Sequence, residues 1–258
     1  MLNKPIPLYG PLSIQPYGVF IVIGVILFIF LIEKNKRFTT LKLQDSFYSV
    51  VAIGIIVGLL GGKALYLISE EPSHLFSLMS WLCFWEGGLS ILGAVAAIPL
   101  IIPLCLKYYE IPVLPFLDLV AIYAPLIQSI SRIGCFFAGC CYGLPSSSFY
   151  AVTYTELPSQ APLYISLHPT QLYSSFLLFV IFLFMFYILQ YKLKVPGQLF
   201  TSYIMLVSME RFIVDFWRQK ETISTYFISF NQYVALILFI VAFALFWYYT
   251  KRIQSSQL

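Results

Sequence analysis

The chain has 258 residues, 60% of them hydrophobic and only 10% charged, with a formal net charge of +4. Soluble domains average about 45–50% apolar and about 25% charged, so composition excludes an ordinary water-soluble fold. The small positive balance, with no basic run interleaved with aromatic residues, excludes a surface that tracks a nucleic-acid backbone.

Several stretches exceed the roughly 18 apolar residues that cross a hydrocarbon core, and a lipid-embedded backbone satisfies its own hydrogen bonds best as helix. The expectation is an all-α, polytopic membrane protein. The first eighteen residues, MLNKPIPLYGPLSIQPYG, contain four prolines and one lysine before any apolar run, so they do not read as a removable signal peptide. Apolar segments then follow at about Tyr17–Ile32, Asp45–Ile68, Leu89–Leu106, Leu114–Phe137, Leu172–Tyr191, Gln198–Val214 and Ile228–Tyr249, giving seven candidate spans. No repeat, heptad or low-complexity linker divides them, so 1–258 is expected to form one domain.

Lys34, Lys36, Arg37, Lys42, Lys107, Lys192, Lys194, Lys251 and Arg252 fall in alternate connections and the tail, whereas the opposite side has only Lys4, Arg218 and Lys220. The positive-inside rule then places the N-terminus outside and the C-terminus in the cytoplasm. On the outside lies the longest connection, about Ala138 to Thr170. It has no lysine or arginine and is rich in tyrosine and proline, which predicts a folded external cap between the fourth and fifth spans rather than a disordered loop.

Six charged residues sit inside or at the edge of spans: Lys63, Asp118, Arg132, Glu210, Arg211 and Asp215. Such a charge costs from about 2.5 to above 10 kcal/mol at mid-bilayer, so it needs a partner or a cavity. Internal pairing of Asp118 with Arg132, or of Arg211 with Asp215 at i, i+4 spacing, is one reading. The other is a phosphate clamp. Arg132 and Arg211 share a depth near the outer ends of their spans, and a guanidinium offers a planar, permanently charged fork to an anion.

Cys83 and Cys105 stand alone in apolar surroundings and read as packing residues. Cys135, Cys140 and Cys141 cluster at the outer end of the fourth span. A structural disulfide, inert packing and a reactive thiol next to Arg132 all remain open there. The spacing lacks a Cys-x-x-Cys pair and no histidine is near in sequence, so no metal site is expected. His74 reads as a solvated loop residue. His168, ahead of a proline at the start of the fifth span, is either a helix-end residue or a base near the cavity mouth.

The segment SRIGCFFAGCCYG, holding Arg132, Gly139 and Gly143, resembles the signature stretch of bacterial prolipoprotein diacylglyceryl transferases. Further matches keep the same order: Tyr17–Gly18, Gly61–Gly62–Lys63, WEGGLS from Trp85 to Ser90, Asp118, then His168-Pro169-x-Gln171-Leu172-Tyr173, and RFIVDFWRQ from Arg211 to Gln219. The resemblance implies a seven-span enzyme of the bacterial inner membrane with a central cavity open to the bilayer and no cofactor. It implies phosphatidylglycerol as donor, the cysteine thiol of a lipoprotein precursor as acceptor, and glycerol phosphate as leaving group. Arg132 and Arg211 would hold the phosphate, with Lys63, Arg218, Gly139 and Gly143 around it. His168, Tyr17 or a thiol of the Cys135–Cys140–Cys141 cluster would handle the proton, and Asp118, Asp215, Gln171, Tyr173 and Glu210 would support them.

Departures accompany the matches. Leu92, followed by Gly93 and Ala94, stands where the family has a histidine proposed as general base, and leucine takes no proton. Cys135, Ala138 and Cys140 replace two asparagines and a glutamate, and Ser174 replaces a further glutamate. Two outcomes follow: a diverged transferase using the same donor, or a catalytically silent lipid-binding or lipid-transporting relative.

Overall fold

The computed structural model describes residues 6–9, 12–14, 16–43, 45–82, 90–156, 159–218 and 228–254. A short hairpin, β1 (Ile6–Tyr9) with β2 (Leu12–Ile14), precedes α1 (Pro16–Glu33), α2 (Lys36–Thr40), α3 (Phe47–Ser69), α4 (Leu78–Leu82), α5 (Ile91–Tyr108) and α6 (Val113–Ala138). The small strands β3 (Val152–Thr153) and β4 (Ser166–Leu167) follow. Next comes α7 (Thr170–Phe184), which runs through a π turn at Met185–Leu189 into α8 (Gln190–Lys192). The chain closes with α9 (Gln198–Val214) and α10 (Phe230–Gln254). Lys4, Cys83, Trp85–Leu89 of WEGGLS, Gln219 and Lys220 lie outside the described residues.

Among the described residues, four helical stretches, Phe47–Ser69, Val113–Ala138, Thr170–Lys192 and Phe230–Arg252, are long and apolar enough to cross a membrane, and Tyr17–Glu33 and Ala96–Tyr108 are shorter apolar helices. The distribution of side chains is the reverse of a soluble protein. Gln171, Ser174, Ser175 and Gln232 are buried while Phe176, Ile237 and Ile240 are more than 60% exposed. Lipid, as apolar as those side chains, removes the hydrophobic penalty for outward phenylalanine and isoleucine, and it makes an outward glutamine expensive. This is an all-α, multi-pass membrane protein.

The chain divides into two compact units, Lys36–Phe116 and a second composed of Met1–Asn35 with Leu117–Leu258. In the first, α3 and α5 cross at backbone contact. Gly54, Gly58 and Gly61 on α3 face Ile102, Ile98 and Gly93–Ala97 on α5. Small residues substitute for hydrophobic drive in such a crossing, because close backbones gain dispersion contacts that lipid cannot supply. A methyl group on Gly93 would meet the Gly61 carbonyl oxygen at 2.1 Å and the Leu65 Cβ at 2.8 Å. Gly93→Ala is therefore expected to force the helices apart and cost about 3 kcal/mol, read as a lowered midpoint of thermal unfolding in detergent. An unchanged midpoint would contradict the crossing. In the same unit, Phe38 and Phe47 meet edge to face at 5.1 Å, with Leu43 and Val50 also buried.

In the other unit, Phe20 of α1 stacks on Phe137 of α6 at 5.3 Å. The α6–α7 contact is polar and reciprocal: Ser129 Oγ donates to the Ser175 carbonyl at 2.8 Å and Ser175 Oγ to the Ser129 carbonyl at 2.9 Å. Lower down, buried Tyr123 packs near Phe182 and Phe186, and its hydroxyl accepts from Asn35 Nδ2 at 2.8 Å. Gln198 of α9 reaches Thr250 of α10 at 2.8 Å.

Asp118 departs from the expected pairing. Its carboxylate accepts the backbone N–H of Gly197 at 2.7 Å and of Phe200 at 2.8 Å, so it serves the start of α9. Fourteen residues of the same helix, about 21 Å of rise, separate it from Arg132, which corrects the Asp118–Arg132 pair. An anion at a helix N-terminus satisfies donors that have no intrahelical acceptor.

The segment between α6 and α7 is folded. Its strands β3 and β4 pair antiparallel, Pro145 bridges Leu167, and Tyr154, Ala161 and Leu167 form a small buried core with Tyr142, Val152 and Leu163 packed against it.

Candidate functional site

The site is organised by the way α6 ends. Gly139 takes a positive φ of 70°, its N–H donating to the Phe136 carbonyl at 3.3 Å, while the Cys140 N–H reaches back to the Cys135 carbonyl at 3.2 Å. These are the two bonds of a Schellman stop, in which glycine tolerates the left-handed residue that side chains resist. The stop turns the chain back on itself, so Cys140 and Cys141 return beside Cys135 with all three sulfurs within 4.8 Å of one another. All three are free thiols.

Cys141 is itself left-handed, with φ 60°. Two contacts from the start of α7 hold the turn: Thr170 Oγ1 donates to the Cys141 carbonyl at 2.8 Å, and Gln171 Nε2 to the Cys140 carbonyl at 2.7 Å. Sequence reasoning missed Thr170, although its place within His168–Tyr173 was the available signal. Tyr154, likewise missed, donates to the Phe136 carbonyl at 3.1 Å and accepts from Gln171 at 3.4 Å. Burial pushes its phenol up to about 12, so it stays protonated as a donor.

The charged residues approach from three elements. Arg132, on the last two turns of α6, is half-buried and lies beside Cys141. Arg211 is half-buried near the end of α9. Arg218 follows the 3-10 turn Asp215–Trp217 and pairs as an antiparallel bridge with Gly143. Arg211 lies within electrostatic reach of Arg132 and Arg218, and all three arginines within reach of Glu210. Glu210 accepts the Ser174 hydroxyl and Asp215 the Ser229 hydroxyl. Asp215 also remains within the field of Arg211, as the i, i+4 spacing anticipated.

Cys141 is drawn well below the ordinary thiol range. The adjoining Cys135 and Cys140 groups favour its anionic form, and the Arg218 and Arg132 guanidiniums add positive potential, while the Cys140 thiol donates to the Cys135 carbonyl at 3.6 Å.

Tyr17, in the first turn of α1, lies near Ser131 and feels the charge of Arg132. Gly143 is pinned by its N–H to the His168 carbonyl at 3.0 Å, and a methyl group there would meet the Trp217 carbonyl at 2.6 Å. His168 Nδ1 lies 3.1 Å from the Tyr173 hydroxyl, within an aromatic group completed by Tyr150 and Trp217. Lys63 belongs to the other unit, buried on α3 with its ammonium 5.6 Å from the Tyr66 ring centre. Leu92 falls in the first turn of α5.

Arg132 at the end of α6, Arg211 and Arg218 around the end of α9, and the His168–Tyr173 start of α7 meet in one site, with the sulfur cluster beside them. The family model described as prolipoprotein diacylglyceryl transferase matches residues 5–248. The chain belongs to that family. A phosphatidylglycerol–prolipoprotein diacylglyceryl transferase from Clostridium tetani is 34% identical over 247 residues, covering 94% of this chain and 96% of its own length. Its namesake numbered 2 in Clostridium perfringens is 32% identical, covering 89% of this chain and 88% of its own. One from Dehalococcoides mccartyi is 29% identical across 96% of this chain and 94% of its own. Family membership thus spans both compact units.

Proposed function

We propose that this protein transfers the diacylglyceryl group of phosphatidylglycerol to the cysteine thiol of a lipoprotein precursor, releasing glycerol phosphate. The convergence of Arg132, Arg211 and Arg218 carries the reading, because it answers the need of the reaction. The leaving group is a phosphate, and negative charge grows on it as the glyceryl carbon–oxygen bond breaks and the sulfur–carbon bond forms. Preorganised guanidiniums stabilise that growing charge more than they stabilise the singly charged phosphodiester of the ground state. Glu210 and Asp215, the nearby carboxylates, are engaged by serine hydroxyls, which supports leaving the arginine forks to the lipid. The relatives named for this activity support it over a silent lipid-binding protein.

The acceptor thiol must lose a proton. Cys141, with its depressed thiol, makes a weak base. His168 suits the task better: with Nδ1 donating to Tyr173, Nε2 keeps a lone pair, on a backbone joined through Gly143 to Arg218. Tyr17 would orient Arg132 through Ser131 and its own oxygen. Gly139 and Gly143 would shape the phosphate end, and Gln171 and Tyr173 would hold the turn and the base.

The whole chain would act as one domain with seven spans, N-terminus outside, in a bacterial inner membrane. The seven long helices among the described residues and the distribution of lysine and arginine support this, with the α6–α7 segment as an external cap over the arginines.

Incubating the purified protein with phosphatidylglycerol labelled in its head-group glycerol and a lipobox peptide tests the reading. Labelled glycerol phosphate should appear together with a peptide heavier by one diacylglyceryl group. Absence of both products would overturn the transferase.

A further inference from the structure

Nothing in the transfer reaction calls for three thiols in contact. We propose that Cys135, Cys140 and Cys141 form a three-thiolate site for a thiophilic, closed-shell cation of the zinc and cadmium kind. The inference stands on the thiol geometry and not on the transferase reading.

The geometry fits the ion. With zinc–sulfur bonds of about 2.3 Å at tetrahedral angles, ligand sulfurs sit about 3.8 Å apart. The three here are within 4.8 Å of one another, so the triangle needs to close by about 1 Å at most. Sequence spacing argues against a metal because it lacks Cys-x-x-Cys, but the Schellman stop at Gly139 brings a helical cysteine back against two loop cysteines. Spacing rules describe one kind of turn, and this chain uses another.

Charge also fits. Three thiolates around a divalent cation carry one net negative charge, and the Arg132 guanidinium lies close enough to Cys141 to offset it. A guanidinium beside a thiolate favours the deprotonated ligand that a soft metal requires. Beside the cluster, Gln171 is 1% exposed and its Nε2 holds the Cys140 carbonyl, while its Oε1 has no hydrogen-bond partner among the described residues. A buried orphan acceptor is uncommon, and this one belongs to the side chain that holds the cluster's turn. Binding releases thiol protons to solvent and involves no redox step.

The ion would occupy the sulfur that Arg132 contacts, so loading the site should also weaken lipid transfer.

The test uses the full-length protein in detergent, reduced and then freed of reductant, titrated with cadmium alone. The sulfur-to-cadmium charge-transfer band should rise to a break at one ion per chain, with protons released to a weakly buffered indicator. Cys140→Ser and Cys141→Ser should each weaken binding at least about tenfold, while Cys105→Ser should leave it unchanged. Excess zinc should erase the band. No band in the unmodified protein, or a full band in both serine variants, would overturn the proposal, as would its loss in Cys105→Ser. These readouts need no lipid or peptide, so failure of the metal site and failure of the transferase reading are told apart.

Discussion

Replacing Arg132 with alanine should lower diacylglyceryl transfer by at least about 100-fold, because it removes a preorganised donor aimed at a developing phosphate charge. Arg132 lies beside Cys141 and interacts through its field with Tyr17, Arg211 and Glu210. Its loss should appear mainly in kcat, since the charge it serves is largest in the transition state. Arg132→Lys keeps the charge without the planar fork, so it should recover only part of the rate. Fold is not expected to suffer, because the side chain is only partly buried. Both variants are checked by initial rates against phosphatidylglycerol concentration, with thermal unfolding as control. An alanine variant within about threefold of the unmodified rate, where loss of such a donor ordinarily costs far more, would sink the phosphate clamp.

The second large effect is on stability. Asp118→Ala should cost about 3 kcal/mol, since two N–H groups at the start of α9 lose a charged acceptor where neither water nor lipid replaces it well. Asp118→Asn keeps one oxygen acceptor and should fall between the two. The loss should reach the site as well, because α9 carries Glu210 and Arg211 at its other end. Thermal unfolding and transfer rate should therefore decline together. Equal stability of the alanine variant and the unmodified protein would show that the Asp118 bonds contribute nothing to holding α9.

Much of the fold was legible because membrane physics is local. A run such as Phe230–Thr250 declares a helix by length and apolarity alone, and the expected segments agree with the long helices to within a few residues. Arg132 and Arg211 were legible as candidates for the same reason, since a guanidinium at that depth breaks a rule that can be read residue by residue. The resemblance then supplied the family, through motifs in shared order, and the comparisons place the chain in it.

What the sequence by itself determined, then, is an all-α membrane protein of this family with charges that demand a use. Only the tertiary structure decided where those charges and thiols go. Asp118 serves a helix start rather than Arg132, because register between helices far apart in sequence decides which donors come within reach. Tyr17 meets Ser131 more than a hundred residues away, and Gln171 meets the turn after α6, through contacts that no local pattern encodes. The cysteines show the same limit most plainly. Their spacing reads as wrong for a metal, yet a single left-handed glycine makes them neighbours.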